Sequence, residues 1–333
     1  MLSKLLLDTN LSRKQASTFF RALLAEQINY ESARTLLILL REKGESAIEI
    51  YSGVTILRSK ARTLKAEVPY LVDNCGTGGD GKSSINISTI AAFVAAGAGA
   101  YVAKHGNRSA SSKVGSADLL EALGVNIMAK PDRMLRSLHL LGIAYFHAPL
   151  YHPIFKILSP IRRRIRSRTI FNLMGPLLNP LNVRRQVIGV YRKEFIPVFA
   201  ETLRLLGTER SFVICGENGM DEATPYGITH GLEIRGNRFF PFEVRARTMG
   251  FHPSTEAAIR GGSLKDNKAI ALGILSGAIR GAKRDAVILN AGLTLLASGK
   301  ISNLKEGMLL SEASLQSGKA FGVLKRFVEI TNR

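Results

Sequence analysis

The stretch Asp73-Asn74-Cys75-Gly76-Thr77-Gly78-Gly79-Asp80-Gly81-Lys82-Ser83 decides how this chain is read. Its four glycines, crowded into residues 76–81 after a short apolar run at 70–72, let the backbone turn sharply and bring N–H groups close to a ligand. Asn86-Ile87-Ser88-Thr89 follows and supplies side-chain oxygens where helical periodicity begins, so strand, glycine loop and helix start read as one phosphate-binding unit. Taken literally, Gly76, Gly81, Lys82 and Ser83 satisfy the P-loop pattern, and Gly76, Gly78 and Gly81 satisfy the dinucleotide fingerprint. Neither fits its surroundings. Asp80 would place a carboxylate inside a triphosphate cradle, and the next strand, 100–103, ends in Lys104 where a ribose-binding acid belongs. ATP or GTP hydrolysis therefore ranks last among the readings, and Asp80 suits a metal ion or a sugar hydroxyl.

Outward from this loop, apolar runs at 70–72, 100–103, 143–146, 187–191 and 212–215 alternate with helical periodicity. That alternation predicts an α/β fold around a central, mostly parallel sheet, with ligands at the carboxyl ends of its strands. The loop after the second strand, Lys104-His105-Gly106-Asn107-Arg108-Ser109 and on to Ser116, again pairs cations and hydroxyls with a helix start, a second anion site by composition. After a later strand, Asp221-Glu222 suits Mg²⁺, although an acid pair opening a helix is the commoner explanation. Gly236-Asn237, between apolar runs at 232–234 and 239–244, predicts a hairpin toward the C-terminus. Upstream, Ser12 with Gln15 and Ser46 with Glu49 read as capping boxes, and Gly44 as a helix stop. Residues 1–68 thus form a small helical domain, completed by the basic helical stretch within about 150–182. Residues 69–149 and 183–333 form the larger α/β domain.

Composition bounds what this fold can be for. The 333 residues carry 46 Lys+Arg against 26 Asp+Glu, a net charge of +20, with 46% hydrophobic residues and two cysteines. Disorder is excluded, and Cys75 and Cys215 can make neither a disulfide framework nor a zinc cluster, so a reducing, cytoplasmic setting is expected. The N-terminus lacks a signal-peptide apolar region, and the run from residue 90 to 103 is too short and too glycine-broken to span a bilayer. The positive charge favours polyanionic partners without choosing among nucleic acid, anionic lipid and a phosphate-rich metabolite. Its densest part, Arg162, Arg163, Arg164, Arg166 and Arg168, reads mostly as a solvated helix face.

Taken together, Gly76-Thr77-Gly78-Gly79-Asp80, Asn86-Ile87-Ser88-Thr89, Lys104-His105-Gly106-Asn107-Arg108-Ser109, Arg168-Thr169-Ile170-Phe171-Asn172 with Gly175-Pro176-Leu177, and Gly219-Met220-Asp221-Glu222 resemble the anthranilate phosphoribosyltransferase family. The order and spacing match along nearly the whole chain, as far as 284–291. The resemblance implies that 5-phosphoribosyl 1-diphosphate and anthranilate give N-(5-phosphoribosyl)anthranilate and diphosphate, a step of tryptophan biosynthesis. It implies Mg²⁺ as cofactor, two ions per site, and a homodimer formed through the helical domain. Any anthranilate synthase partner would be a separate chain. By the same resemblance Gly76, Gly79, Asp80, Asn86, Ser88, Thr89, Lys104 and Ser116 bind the phosphoribosyl diphosphate. Ser88, Asp221 and Glu222 hold metal, and His105, Asn107, Arg162, Pro176 and His152 form the anthranilate side. No protein nucleophile is expected, and Lys104 supports the transition state. Lys82 falls in a variable part of the loop, which makes its P-loop match accidental, and Cys75 and Arg166 depart from the usual aliphatic and glycine. The rival from another class is a basic nucleic-acid-binding protein on the same fold. A nucleoside phosphorylase ranks lower because its phosphate-loop motifs differ.

Overall fold

The computed structural model describes residues 9–109, 113–165 and 167–333, and the side chains at 159 and 162–164 stand outside that description. Arg166, and the Arg162 side chain assigned to the acceptor, therefore lie outside the described residues. Among the described residues, three helices come first. Helix α1 (Arg13–Leu24) begins on Ser12, which exchanges hydrogen bonds with Gln15 in the expected capping box. Asn29 caps α2 (Tyr30–Lys43), which stops at Gly44, and a second box, Ser46 with Glu49, starts α3 (Ala47–Ser59). Their apolar faces, with Phe19, Phe20, Leu37, Leu40, Ile50 and Leu57, close into one core.

The chain then alternates: β1 (Asp73–Gly76), α4 (Ile87–Gly97), β2 (Val102–Gly106), α5 (Ser116–Ala122), α6 (Pro131–Leu141) and β3 (Ile143–His147). The one-turn α7 (Ala148–Tyr151), α8 (Phe155–Ile165) and α9 (Ile170–Met174) interrupt the pattern. It resumes with β4 (Arg185–Gly189), α10 (Phe195–Leu205), β5 (Arg210–Cys215), and the β6 (Ile228–Arg235) and β7 (Arg238–Arg245) hairpin, then α11 (Leu264–Leu275), α12 (Ala282–Ser298), α13 (Leu304–Gln316) and α14 (Lys319–Asn332). The interrupting helices return to the N-terminal ones. Leu158, Ile170, Phe171 and Met174 join the core of α1 to α3, and that core continues onto one face of the sheet through Ile188, Val213 and Phe199 of α10. The other face is covered by α4, α12 and α14 with Phe93, Leu289 and Phe327.

Strands run β1-β4-β5-β6-β7 in one sheet and β2-β3 in a second. The β1–β4, β4–β5 and β2–β3 pairings are parallel, whereas β5–β6 and β6–β7 are antiparallel. A single parallel bridge, Val72 with Val102, joins the two sheets. This corrects the expected first strand. The apolar run 70–72 spends only Val72 on pairing, and the ladder to β4 is made by Asp73-Asn74-Cys75-Gly76, residue types that strands usually avoid. The predicted hairpin turn falls at Gly236-Asn237, between Arg235 and Arg238. Among the described residues no helix is long and apolar enough to cross a membrane.

Candidate active site

Because β1, β4 and β5 are parallel, their carboxyl ends open at one edge, and the loops that follow β1 and β5 meet there. The glycine loop turns through positive φ at Gly78, Gly79 and Gly81. The Gly78 N–H donates to Asp221 Oδ2 at 2.6 Å, and the Ser88 N–H at the start of α4 donates to Glu222 Oε1 at 2.9 Å. The acid pair thus spans from the loop to the helix. It does not open a helix of its own: it follows a short 3-10 turn, Glu217–Gly219, so the commoner explanation for such a pair does not apply.

Close packing fixes the pair. A Cβ on Gly76 would stand 2.2 Å from Asp221 Oδ2, and one on Gly189 would stand 1.6 Å from the Asp221 carbonyl oxygen, so both positions need glycine. Asn290 of α12 holds the following residue from both sides, its Nδ2 donating to the Ala223 carbonyl at 2.8 Å while its Oδ1 accepts the Ala223 N–H at 3.1 Å. Burial, then the nearby Asp80 charge, pushes the Asp221 carboxyl up to about 7. Glu222 is raised well above its usual value by burial and then by Asp221. Asp80 gives one oxygen to the Lys82 N–H at 3.0 Å, and its buried Oδ2 has no hydrogen-bond partner. Among the described residues no three acids converge as a ready metal cage, and the unspent Asp80 oxygen beside the acid pair is the feature that a hard divalent cation would satisfy.

Behind the loop, buried Lys104 reaches from β2 to the Asn74 carbonyl at 2.6 Å, and Asn74 Nδ2 donates to the Ser88 carbonyl at 2.9 Å. A cation therefore sits beside the acids and under the helix start. Asn86 precedes α4 without capping it, its Nδ2 bonded to the Val114 carbonyl and its buried Oδ1 unpartnered. Ser116, first in α5, shares a hydrogen bond with the Tyr145 hydroxyl at 3.2 Å. Thr89 is turned into the interior, where it lines a small cavity with Lys104, Phe93 and Tyr145. Lys82 pairs with Glu256 at 3.0 Å, away from the P-loop role its position suggested.

The acceptor-side residues cluster separately. His105 Nδ1 lies 3.3 Å from the Gly175 carbonyl, which can only accept, so Nδ1 carries the proton and the buried Nε2, without a partner, presents a lone pair. Burial, and then His152, pushes this imidazole down to about 3, so it is neutral at physiological pH. His152 stacks edge-on against it at 5.4 Å and donates from Nε2 to the Leu178 carbonyl at 2.7 Å. Pro176 is buried in the turn Gly175–Leu177, its carbonyl held by Gln186. Asn107 stands apart: it is exposed, and its Oδ1 accepts the Arg108 N–H. The sequence reading passed over Gly189, Asn290, Asp73, Asn179 and the guanidinium of Arg168, which lies under Gly79 and over the Tyr191 ring at 3.9 Å. Of these, Gly189 carries a signal, a glycine inside an apolar strand, where a close backbone approach is the usual cause, and Arg168 opens one of the motifs behind the family resemblance.

A phosphate-type glycine loop, a buried lysine and an acid pair at the strand ends describe a glycosyl-transferring enzyme, and the family model described as "Glycosyl transferase family, a/b domain" matches residues 68–321. The anthranilate phosphoribosyltransferase of Bacillus cereus is 42% identical over 331 residues, covering 99% of this chain and 97% of the relative. That of Bacillus mycoides is 42% identical over 327 residues, 98% and 96% of the two chains. The crystal structure of the Thermus thermophilus anthranilate phosphoribosyltransferase superposes with a TM-score of 0.92 at 39% identity, covering 100% of this chain and 99% of that one. The Saccharomyces cerevisiae enzyme in complex with PRPP and Mg gives 0.85 at 26% identity, with 96% and 92% covered. The chain belongs to the anthranilate phosphoribosyltransferase family.

Proposed function

We propose that this chain transfers the phosphoribosyl group of 5-phosphoribosyl 1-diphosphate to the amine of anthranilate, within tryptophan biosynthesis. The observation that carries the reading is the acid pair seated between glycine loop and helix start, with Lys104 buried behind it. Loop N–H groups, Ser88, Asn86 and Ser116 receive the phosphates, while Gly76 leaves room for Asp221 and Gly79 for the Arg168 guanidinium. Ser88, Asp221 and Glu222 would hold Mg²⁺, two ions by family likeness, and Asp80, whose Oδ2 has no partner, would face the phosphoribosyl diphosphate and its metal. When bound, the metal supplies positive charge that stabilises the leaving diphosphate.

In the transfer, the amine nitrogen forms a bond to C1 as the C1–O bond to diphosphate breaks, and the amine loses one proton to solvent or the departing diphosphate. Lys104 neutralises part of the leaving charge. Neutral His105 offers Nε2 as acceptor to an amine N–H, and Pro176 packs the ring. Arg162 is assigned to the carboxylate. A helical unit of 1–68 and about 150–182, a homodimer through it, a cytoplasmic setting and separate synthase subunits belong to the same reading. Nucleic acid is not expected as a partner.

The test is anthranilate fluorescence followed with purified protein. Consumption should require both 5-phosphoribosyl 1-diphosphate and Mg²⁺, and Asp221→Asn with Glu222→Gln should reduce it by about 100-fold or more at limiting Mg²⁺. No consumption by the unaltered chain would end the reading.

A further inference from the structure

The two sheets part at one place, and what fills the gap links the two halves of the site. Beyond Val72, whose N–H reaches the Tyr101 carbonyl and whose carbonyl takes the Ala103 N–H, both at 2.9 Å, β1 and β2 no longer pair through their backbones. The fully buried Asp73 carboxylate occupies the wedge. One oxygen accepts the His105 N–H at 3.3 Å, and the other accepts Asn179 Nδ2 at 2.9 Å. The same Asn179 nitrogen donates to the Ala103 carbonyl at 2.7 Å, and its Oδ1 accepts the Leu181 N–H at 3.0 Å. Side chains have replaced the missing ladder.

This substitution has two geometric results. The splay leaves room for the Lys104 side chain to turn back onto Asn74, beneath the glycine loop. Asn179 comes from the segment returning from α9, which also carries the Gly175 carbonyl facing His105, Pro176, and the Leu178 carbonyl held by His152. Asp73 is therefore the joint at which the donor-side strand β1, the bifunctional strand β2 and the acceptor-side segment meet. It also lies close enough to Lys104 for the two buried charges to attract. Burial pushes the Asp73 carboxyl up to about 6, against the pull of Lys104 and of the bonds from Asn179 and His105, so holding a charge there costs stability. A folding device alone could be apolar at less cost.

We infer that Asp73 and Asn179 are positioning residues that set the separation of the two substrate subsites, by tying the acceptor segment to the strand that carries Lys104 and His105. The inference rests on the transferase reading above. Both side chains are buried and fully engaged with the protein, so loosening the joint should spare binding of each substrate and slow their reaction, because misplacement by about 1 Å is enough to cost on the order of 100-fold in rate.

The test compares the full chain with Asn179→Ala and Asp73→Asn, the latter keeping shape and one acceptor. Equilibrium binding of 5-phosphoribosyl 1-diphosphate with Mg²⁺, and of anthranilate to that complex, should stay within about threefold, while kcat falls roughly 10- to 100-fold with a cooperative melt retained. Asn179→Gln, which keeps the amide on a longer arm, should recover part of the loss. A folded variant with kcat within twofold of the unaltered chain would overturn the inference. So would binding lost in step with kcat, or failure of all three variants to fold, which would mark the joint as structural. An inactive unaltered chain would instead strike the transferase reading itself.

Discussion

At the scale of single residues, the acid pair is held in a state that a metal must compete for. Asp221 lends an oxygen to the Gly78 N–H and Glu222 to the Ser88 N–H, and both carboxyls hold protons more tightly than usual because burial, and then a neighbouring carboxylate (Asp80 for Asp221, Asp221 for Glu222), disfavours the charged forms. Ligation requires the ionised carboxylates, so metal binding releases protons. With Asp221 raised to about 7, apparent Mg²⁺ affinity should increase about tenfold from about pH 6 to about pH 8, read from Mg²⁺ titrations of initial rate at each pH. An affinity that is flat or falls with pH would contradict a raised Asp221 carboxyl as metal ligand. Melting is a poorer readout, because the contributions oppose each other. The raised carboxyls withdraw stability from the metal-free protein as pH climbs from about 4 toward 7, whereas His105, lowered to about 3, adds stability over about the same range. Much of this site was legible in the chain: glycines, hydroxyls and acids sit at the ends of apolar runs, where an α/β fold gathers them. Asn290 and Asn179 were not legible, since each acts through a backbone contact more than 60 residues away, Ala223 and Ala103, and an asparagine in a helix or loop has no local mark of such a role.

Elements were read best where their own termini specify them. The capping boxes at Ser12 and Ser46 and the stop at Gly44 depend on neighbours within a turn, and they stand where the sequence put them. The first strand was displaced because its pairing is decided by β4 and by the wedge at Asp73 rather than by its own composition. The capping glutamate of α3 does more than cap. Buried Glu49 accepts the Leu11 N–H at 2.8 Å, the Ser46 N–H at 2.8 Å and the Lys43 ammonium at 3.0 Å, with both side chains of the ion pair at most 2% exposed. Glu49→Ala would leave a buried ammonium and two N–H groups short of an acceptor. Lys43 keeps Asn10 and the Gly44 carbonyl, so the expected loss is about 3 kcal/mol, seen as a lower urea midpoint with unchanged slope. Glu49→Gln, which retains an acceptor for Leu11, should lose less. Equal losses would show that the charge carries the stabilisation and the acceptor alone recovers none of it, whereas an unaffected Glu49→Gln would show that the charge contributes nothing.

For the whole molecule, the open question is what a net charge of +20 is for. Many cations are already answered locally: Arg108 by Asp118 and Glu121, Arg184 and Arg185 by Glu209, Arg210 and Arg235 by Glu233, and buried Arg284 by Glu312. The remaining excess still sets a long-range positive potential, and the donor substrate is a multiply charged anion whereas anthranilate carries one charge. Steering of this kind acts on encounter and is screened by salt over about 10 Å at 0.1 M. Raising salt from about 0.05 M to about 0.5 M should therefore increase KM for 5-phosphoribosyl 1-diphosphate severalfold, change KM for anthranilate less, and leave kcat nearly unaltered. The measurement is a two-substrate rate surface at fixed free Mg²⁺, with a neutral osmolyte as control. If both KM values moved together, or if kcat fell in proportion, the charge would be acting on folding or assembly rather than on capture. If neither moved while duplex DNA was bound with a steep salt dependence, the surface would belong to a nucleic acid and the transferase site would operate without help from it.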